Sequence, residues 1–260
     1  MDRHKAVTNH NYNERRISTM GEQLNMDQFF GGKVDFMGQP HLACALLLDV
    51  SDSMRMSGAI HNLNEGIRRF KASLMADSVA RKTVDVALVT FNSKIEIVSG
   101  FTPVDQMPTP ELSAGGMTDM AKGIQAAVDL VKERTAKYQS LGTPCHKPWI
   151  FMITDGKSTS FGHEMKAAAE RIRQEEKKGS HGRLSFWALG IANYDSNELF
   201  ELTDRVIELK DADFSLIFDW LADSMTCISQ SQVGERVEFD PLPGNARKAE
   251  KDRAIDAEWY

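Results

Sequence analysis

The chain of 260 residues is 42% hydrophobic and 26% charged, a composition that builds a sizeable core and excludes a disordered or fibrous protein. Its formal net charge of -6 argues against nucleic acid or an anionic membrane as partner and favours a cation as ligand. Three widely spaced cysteines, Cys44, Cys145 and Cys227, provide neither a disulfide framework nor a paired Cys-x-x-Cys zinc site, and they fit a reducing cytoplasm.

Residues 1–40 read as an extension, polar except for an apolar island from Met26 to Phe30 that is too small to bury a core of its own. The opening Met1-Asp2-Arg3-His4-Lys5 lacks the apolar stretch of a signal peptide, and no segment approaches the roughly 20 apolar residues of a membrane span. A soluble, unsecreted protein is expected.

The organising stretch follows: Leu46-Leu47-Leu48-Asp49-Val50-Ser51-Asp52-Ser53-Met54, an apolar run that ends in oxygen-bearing side chains. It reads as a buried parallel strand whose carboxyl end opens at the crevice where open α/β sheets bind ligands. Asp49, Ser51 and Ser53 alternate, so a loop leaving the strand can aim a carboxylate and two hydroxyls at one centre. Hard oxygen ligands of this kind suit Mg²⁺, Mn²⁺ or Ca²⁺ rather than zinc. The alternative is that Ser53 or Ser57 simply caps the next helix.

Apolar residues from Ile60 to Val79 recur at helical spacing and predict an amphipathic helix over about 57–80. Val84–Phe91 and Lys94–Phe101 predict two strands joined by a two-residue hairpin turn at Asn92-Ser93, the second alternating as an edge strand does. A proline-bearing loop then leads into Gly115-Gly116-Met117-Thr118-Asp119, where helical periodicity resumes. Thr118 therefore stands at a helix start, as an N-cap or as a ligand lifted above the sheet by the glycines.

Pro148-Trp149-Ile150-Phe151-Met152-Ile153-Thr154-Asp155-Gly156 repeats the design of the first stretch, an apolar strand ending in an acid. Beyond it the pattern predicts a helix at 163–178, a strand at 184–191, a helix at 196–202, a strand at 206–209 and a helix at 214–229. The alternation gives an α/β class: a doubly wound, mainly parallel six-stranded sheet with one antiparallel edge strand and helices on both faces. The main domain is 41–230, and residues 231–260 read as a solvated tail with at most a helical turn. Trp149, Trp187 and Trp220 fall in apolar patterns and are assigned to the core.

Asp-Val-Ser-Asp-Ser at 49–53, Gly-Gly-Met-Thr-Asp at 115–119 and Ile-Thr-Asp-Gly at 153–156, in this order, resemble the metal-ion-dependent adhesion site of von Willebrand factor A (vWA) domains. Phe-x-Pro-Val-Asp at 101–105, the Gly-Gly-x-Thr turn at 115–118 and Pro-Trp-Ile-Phe-Met-Ile-Thr-Asp-Gly at 148–156 look most like a bacterial subgroup associated with tellurium resistance and chemical-stress operons. The resemblance implies a vWA/Rossmann-like fold and a protein-binding role. Ser51, Ser53 and Thr118 would offer hydroxyls to Mg²⁺ (or Mn²⁺ or Ca²⁺), and Asp49 and Asp155 would act directly or through water. A partner Asp or Glu would complete the coordination. Two acids depart from the pattern: Asp52 stands where glycine is common and is expected to face solvent, and Asp119 follows Thr118.

The rival from another class is a metal-dependent phosphoryl-transfer enzyme, or a regulatory subunit beside a kinase or phosphatase. Ser51 occupies the place where an Asp-x-Asp phosphatase needs an acid, and no Gly-x-x-x-x-Gly-Lys-[Ser/Thr] loop exists in the sequence, so no catalysis is expected.

Overall fold

The structure, a computed structural model, describes residues 38–178, 183–191 and 194–250. The Met26–Phe30 island lies outside them. Leu42–Asp49 forms β1, buried along its whole length. Even-numbered side chains of β1, from Leu42 to Leu48, enter one core, and Ala43, Ala45 and Leu47 enter a second core on the opposite face. Burial on both faces explains why the strand reads as a continuous apolar run rather than an alternating one.

A short helix, α1 (Asp52–Met56), precedes the segment expected as one helix over 57–80, which is itself two, α2 (Ala59–Ala76) and α3 (Ala80–Thr83). Gly58 ends α1 with a left-handed φ of 74°, and the Asp77 carboxylate accepts bonds from Val79 N and Ala80 N at 2.9 and 2.7 Å, starting α3. Val84–Phe91 (β2) and Ile95–Pro103 (β3) pair antiparallel. Their connection is three residues long, 92–94, rather than two, because Asn92 Oδ1 accepts from Lys94 N at 2.8 Å and closes the turn with a side chain.

Met120–Ser140 (α4), Trp149–Thr154 (β4), Gly162–Lys177 (α5), Ser185–Ile191 (β5), Ser196–Leu202 (α6), Val206–Leu209 (β6), Ser215–Gln230 (α7) and Ala246–Lys248 (β7) complete the order. The sheet runs β3-β2-β1-β4-β5-β6-β7. Strands β2, β1, β4, β5 and β6 are parallel, so the fold is the doubly wound α/β architecture. Helices α2 and α7 cover one face. They meet closely at Gly66, where a Cβ would stand 2.4 Å from the Phe218 ring. Helices α4 and α5 cover the other face.

The sheet has seven strands, not six. β7 pairs antiparallel with β6, so the second edge is antiparallel too. The segment expected as a solvated tail docks instead: Trp220 Nε1 donates to Asp240 O at 2.8 Å, and Val237, Phe239 and Leu242 pack on the core. Trp149 and Trp187 stack at 5.0 Å, with Phe239 edge-on to Trp149 at 5.4 Å. Isolated apolar residues among prolines and charges carry no period, and the tryptophan cluster supplies the surface they need.

At the amino end of the sheet lies a buried polar group that sequence patterning does not single out. Asp85 Oδ2 accepts from His41 Nδ1 at 2.9 Å, pairs with Arg134 Nη2 at 2.8 Å and accepts from the Tyr138 hydroxyl. This ties α4 to β2. Burial pushes the Asp85 carboxyl up, but the His41 bond, the Arg134 charge and the Tyr138 hydroxyl outweigh it and hold the group below its ordinary value.

Candidate metal centre

The carboxyl ends of β1 and β4 adjoin at the topological switch point, since the chain passes from β1 to β2 on one side and returns to β4 on the other. Asp49 ends β1 and Asp155 immediately follows β4. Asp49 is fully buried. Its Oδ1 accepts from Ser51 N at 2.8 Å and its Oδ2 from Thr154 Oγ1 at 2.6 Å. Burial pushes this carboxyl above its ordinary value; the bonds from Ser51 and Thr154 pull it partly back, and the Asp155 charge adds to the rise.

Ser51 is the residue at which α1 starts, yet its side chain makes no capping bond. Instead Ser51 Oγ stands 2.9 Å from Ser53 Oγ, and Ser53 Oγ donates to Asp155 Oδ1 at 2.5 Å. The other Asp155 oxygen accepts from Ser57 Oγ at 3.1 Å. Four of the five residues singled out in the sequence are thus joined in one hydrogen-bonded chain.

Thr118 reaches the same end of the sheet on a loop fastened from several sides. Gly115 N donates to Val50 O at 2.8 Å, and Asp52 N donates to Gly116 O at 2.9 Å. Asn92 Nδ2 donates to Gly115 O at 2.6 Å, and Met117 N donates to Ser93 Oγ at 2.8 Å. Gly116 has φ 84°, and a Cβ there would stand 2.7 Å from Ser93 Oγ, so both backbone shape and space demand glycine. Thr118 is buried, with its N donating to Thr159 Oγ1 at 3.1 Å and its O accepting from Thr159 N at 2.8 Å.

The cap of α4 is Asp119, not Thr118: its carboxylate accepts from Lys122 N and from Ser160 Oγ at 3.0 Å. Helix capping therefore leaves the Thr118 hydroxyl unengaged, which removes the alternative role for it. Asp52 faces solvent and pairs with Arg55 at 2.9 Å. Asp52 is engaged within its own helix, and Asp119 by Lys122 of the helix it caps and by Ser160 of the loop before α5. Thr154, Ser57, Asn92 and Thr159 are supporting residues whose part in the centre pattern reading does not give. Thr154 stood within the Ile-Thr-Asp-Gly motif, Ser57 read only as a helix cap and Asn92 only as a turn residue, and Thr159 carried no signal.

The donor set fits a hard divalent cation. Neighbouring ligands of an octahedral ion with bonds of roughly 2.0–2.1 Å stand about 2.9 Å apart, and the Ser51–Ser53 oxygen pair has that separation. Two carboxylates and hydroxyls are an oxygen set. Among the described residues no group of three or more His, Cys, Asp and Glu assembles as a site rich in nitrogen or sulfur would need.

Residues 44–158 match the von Willebrand factor type A domain. Comparison with curated proteins gives no match. Among solved structures, the pilus adhesin SpaC from Lactobacillus rhamnosus GG is similar over 76% of this chain and 32% of its own, with 14% identity and TM-score 0.58. Proximal thread matrix protein 1 from the mussel byssus is similar over 73% of this chain at 15% identity and TM-score 0.51. A D319A mutant of the PilB minor pilin from Streptococcus sanguinis covers 75% of this chain and 63% of its own at 14% identity and TM-score 0.51. The chain spans about half the length of the mussel protein, 48%. At these identities the likeness is one of fold. No helix among the described residues is long and apolar enough to cross a membrane. The chain thus carries, at residues 44–158, a segment matching the von Willebrand factor type A domain, within an α/β sheet of vWA/Rossmann-like fold.

Proposed function

We propose that the chain is a divalent-cation-dependent protein-interaction module, in which Ser51, Ser53 and Thr118 hold the ion through hydroxyls while Asp49 and Asp155 act directly or through water. The observation that carries this reading is the bonded chain of Asp49, Ser51, Ser53 and Asp155 across two adjacent strand ends. When bound, Mg²⁺ keeps exchangeable coordination positions, and one of these accepts an Asp or Glu carboxylate of a protein partner. The chain's own part is positional: Thr154 orients Asp49, Ser57 orients Asp155, and the Gly115–Thr118 loop closes over them.

Catalysis by these groups is disfavoured by the state of Asp49. It is buried with both oxygens hydrogen-bonded, which suits a fixed support rather than a nucleophile. We assign the module to a cytoplasmic assembly of bacterial stress response, on the resemblance at 101–105 and 148–156. Phe101 itself is a core residue and Pro103 closes β3, so that motif supports the fold rather than contacting a partner. The test is capture of partners from cell extract with the full chain and with Asp49→Ala, each in Mg²⁺ and in chelator. Partners retained by the parent only in Mg²⁺, and lost from Asp49→Ala, support the reading; partners indifferent to both refute it.

A further inference from the structure

Large apolar side chains left in water mark interaction sites when they gather in one place. Among the described residues, the three most exposed are Met56 at 80%, Phe161 at 71% and Met117 at 61%. All three stand on the segments that build the candidate centre. Met56 closes α1, the helix that carries Ser53. Met117 precedes Thr118, with its backbone bonded to Ser93. Phe161 follows Ser158, Thr159 and Ser160, the residues that bond the Thr118 and Ala121 backbones, and its ring stacks on His163 at 5.9 Å.

Three basic side chains on or beside the same segments are paired with acids. Arg55 pairs with Asp52 at 2.9 Å, Lys122 with Asp119 at 2.5 Å, and Lys157 with Asp195 at 2.9 Å. These three cations are thus neutralised by acids of the chain itself, which weakens the attraction of this end of the sheet for an acid-rich surface. The same segments carry the candidate site for one carboxylate and the three most exposed large apolar side chains among the described residues.

We propose that Met56, Met117 and Phe161 form an apolar rim that selects a partner segment in which the metal-binding Asp or Glu is flanked by large apolar residues. The proposal rests on the metal-dependent contact argued above and specifies the chemistry of its partner. The carboxylate supplies the complement to the cation, and the flanking side chains supply the complement to the rim. Burying one large apolar side chain is worth roughly tenfold in affinity or more, so the rim, rather than long-range charge, distinguishes one acidic partner from another.

The experiment selects peptides from a displayed library with a fixed central Asp and random flanks, on the full chain, in Mg²⁺ with elution by chelator. The parent is compared with the triple variant Met56→Ser, Met117→Ser, Phe161→Ser. All three positions are exposed, so folding should persist; melting and Mn²⁺ titration verify that the variant keeps its fold and its ion. The expected result is enrichment of Leu, Ile, Met and Phe beside the Asp, with at least ~10-fold weaker binding by the triple variant at unchanged Mn²⁺ affinity. Chelator-sensitive binders without an apolar preference, or with equal affinity for the variant, overturn the rim and leave the metal contact standing. Binding of Mn²⁺ without any chelator-sensitive peptide overturns both. Peptide binding that arises only after residues 1–37 are removed, or a metal-dependent doubling in mass, assigns the rim to the chain itself or to a second copy and overturns the partner proposed.

Discussion

The sharpest discrimination between structural and ligand roles is at Thr118. Its replacement by Ala removes a hydroxyl and a methyl group from a buried position. Loss of a helix cap would cost about 0.5–2 kcal/mol, but Asp119 provides the cap of α4, so this cost does not arise. What remains is the buried methyl, worth roughly 0.8 kcal/mol, which for a domain of this size lowers the melting temperature by about 2–3 °C. The ion, by contrast, loses a ligand, and its affinity should fall at least ~10-fold, the lower end of the loss seen when even a supporting residue of a metal site is removed. Calorimetric titration with Mn²⁺ and thermal melting in chelator, on Thr118→Ala and Thr118→Ser together, separate the two effects. Thr118→Ser keeps the oxygen and should bind Mn²⁺ close to the parent. Equal Mn²⁺ affinity for Thr118→Ala and the parent, or an equal loss in both variants, would refute the assignment of the hydroxyl as a ligand.

A single divalent ion should stabilise the parent by ~2.7 kcal/mol at a hundredfold excess over its dissociation constant, seen as a melting shift absent from Asp49→Ala and Asp155→Ala; a shift retained by both variants would place the ion elsewhere. Asp85→Asn leaves the buried His41, Arg134 and Tyr138 facing a neutral group, and should cost about 3–5 kcal/mol, measurable by urea unfolding at neutral pH. Because the folded Asp85 is held below its ordinary value, its contribution is complete above the unfolded carboxylate value of about 3.9 and is lost as pH falls through the lower folded value. The acid limb of a stability profile should accordingly be shallower for Asp85→Asn than for the parent, and parallel limbs would contradict the linkage. The purified chain should not turn over ATP or an aryl phosphate; turnover abolished by Asp49→Asn would show the centre to be catalytic.

Periodicity and strand-end chemistry are local properties, and they carried most of the architecture. Buried strands such as β1 and β4 are apolar because both faces are covered, and the helices from α4 to α7 repeat every 3.6 residues because one side of each is buried. Asp49, Ser51, Ser53 and Asp155 stood out because an oxygen-rich break follows an apolar run, and Thr118 because a glycine turn sets it at a helix start. Only the folded chain decided how these residues are held. Thr154 reaches Asp49 across 105 positions and Ser57 reaches Asp155 across 98, and Asp119, the cap of α4, is also held by Ser160 from 41 positions away. The seventh strand and the docked segment from Val237 to Leu242 exist because β6 offers an open edge and Trp149, Trp187 and Trp220 offer an apolar surface. Such partners are distant in sequence, so no local pattern announces them; the buried Asp85 network is invisible for the same reason, since what stabilises one acid in a strand is two side chains of a helix packed over it.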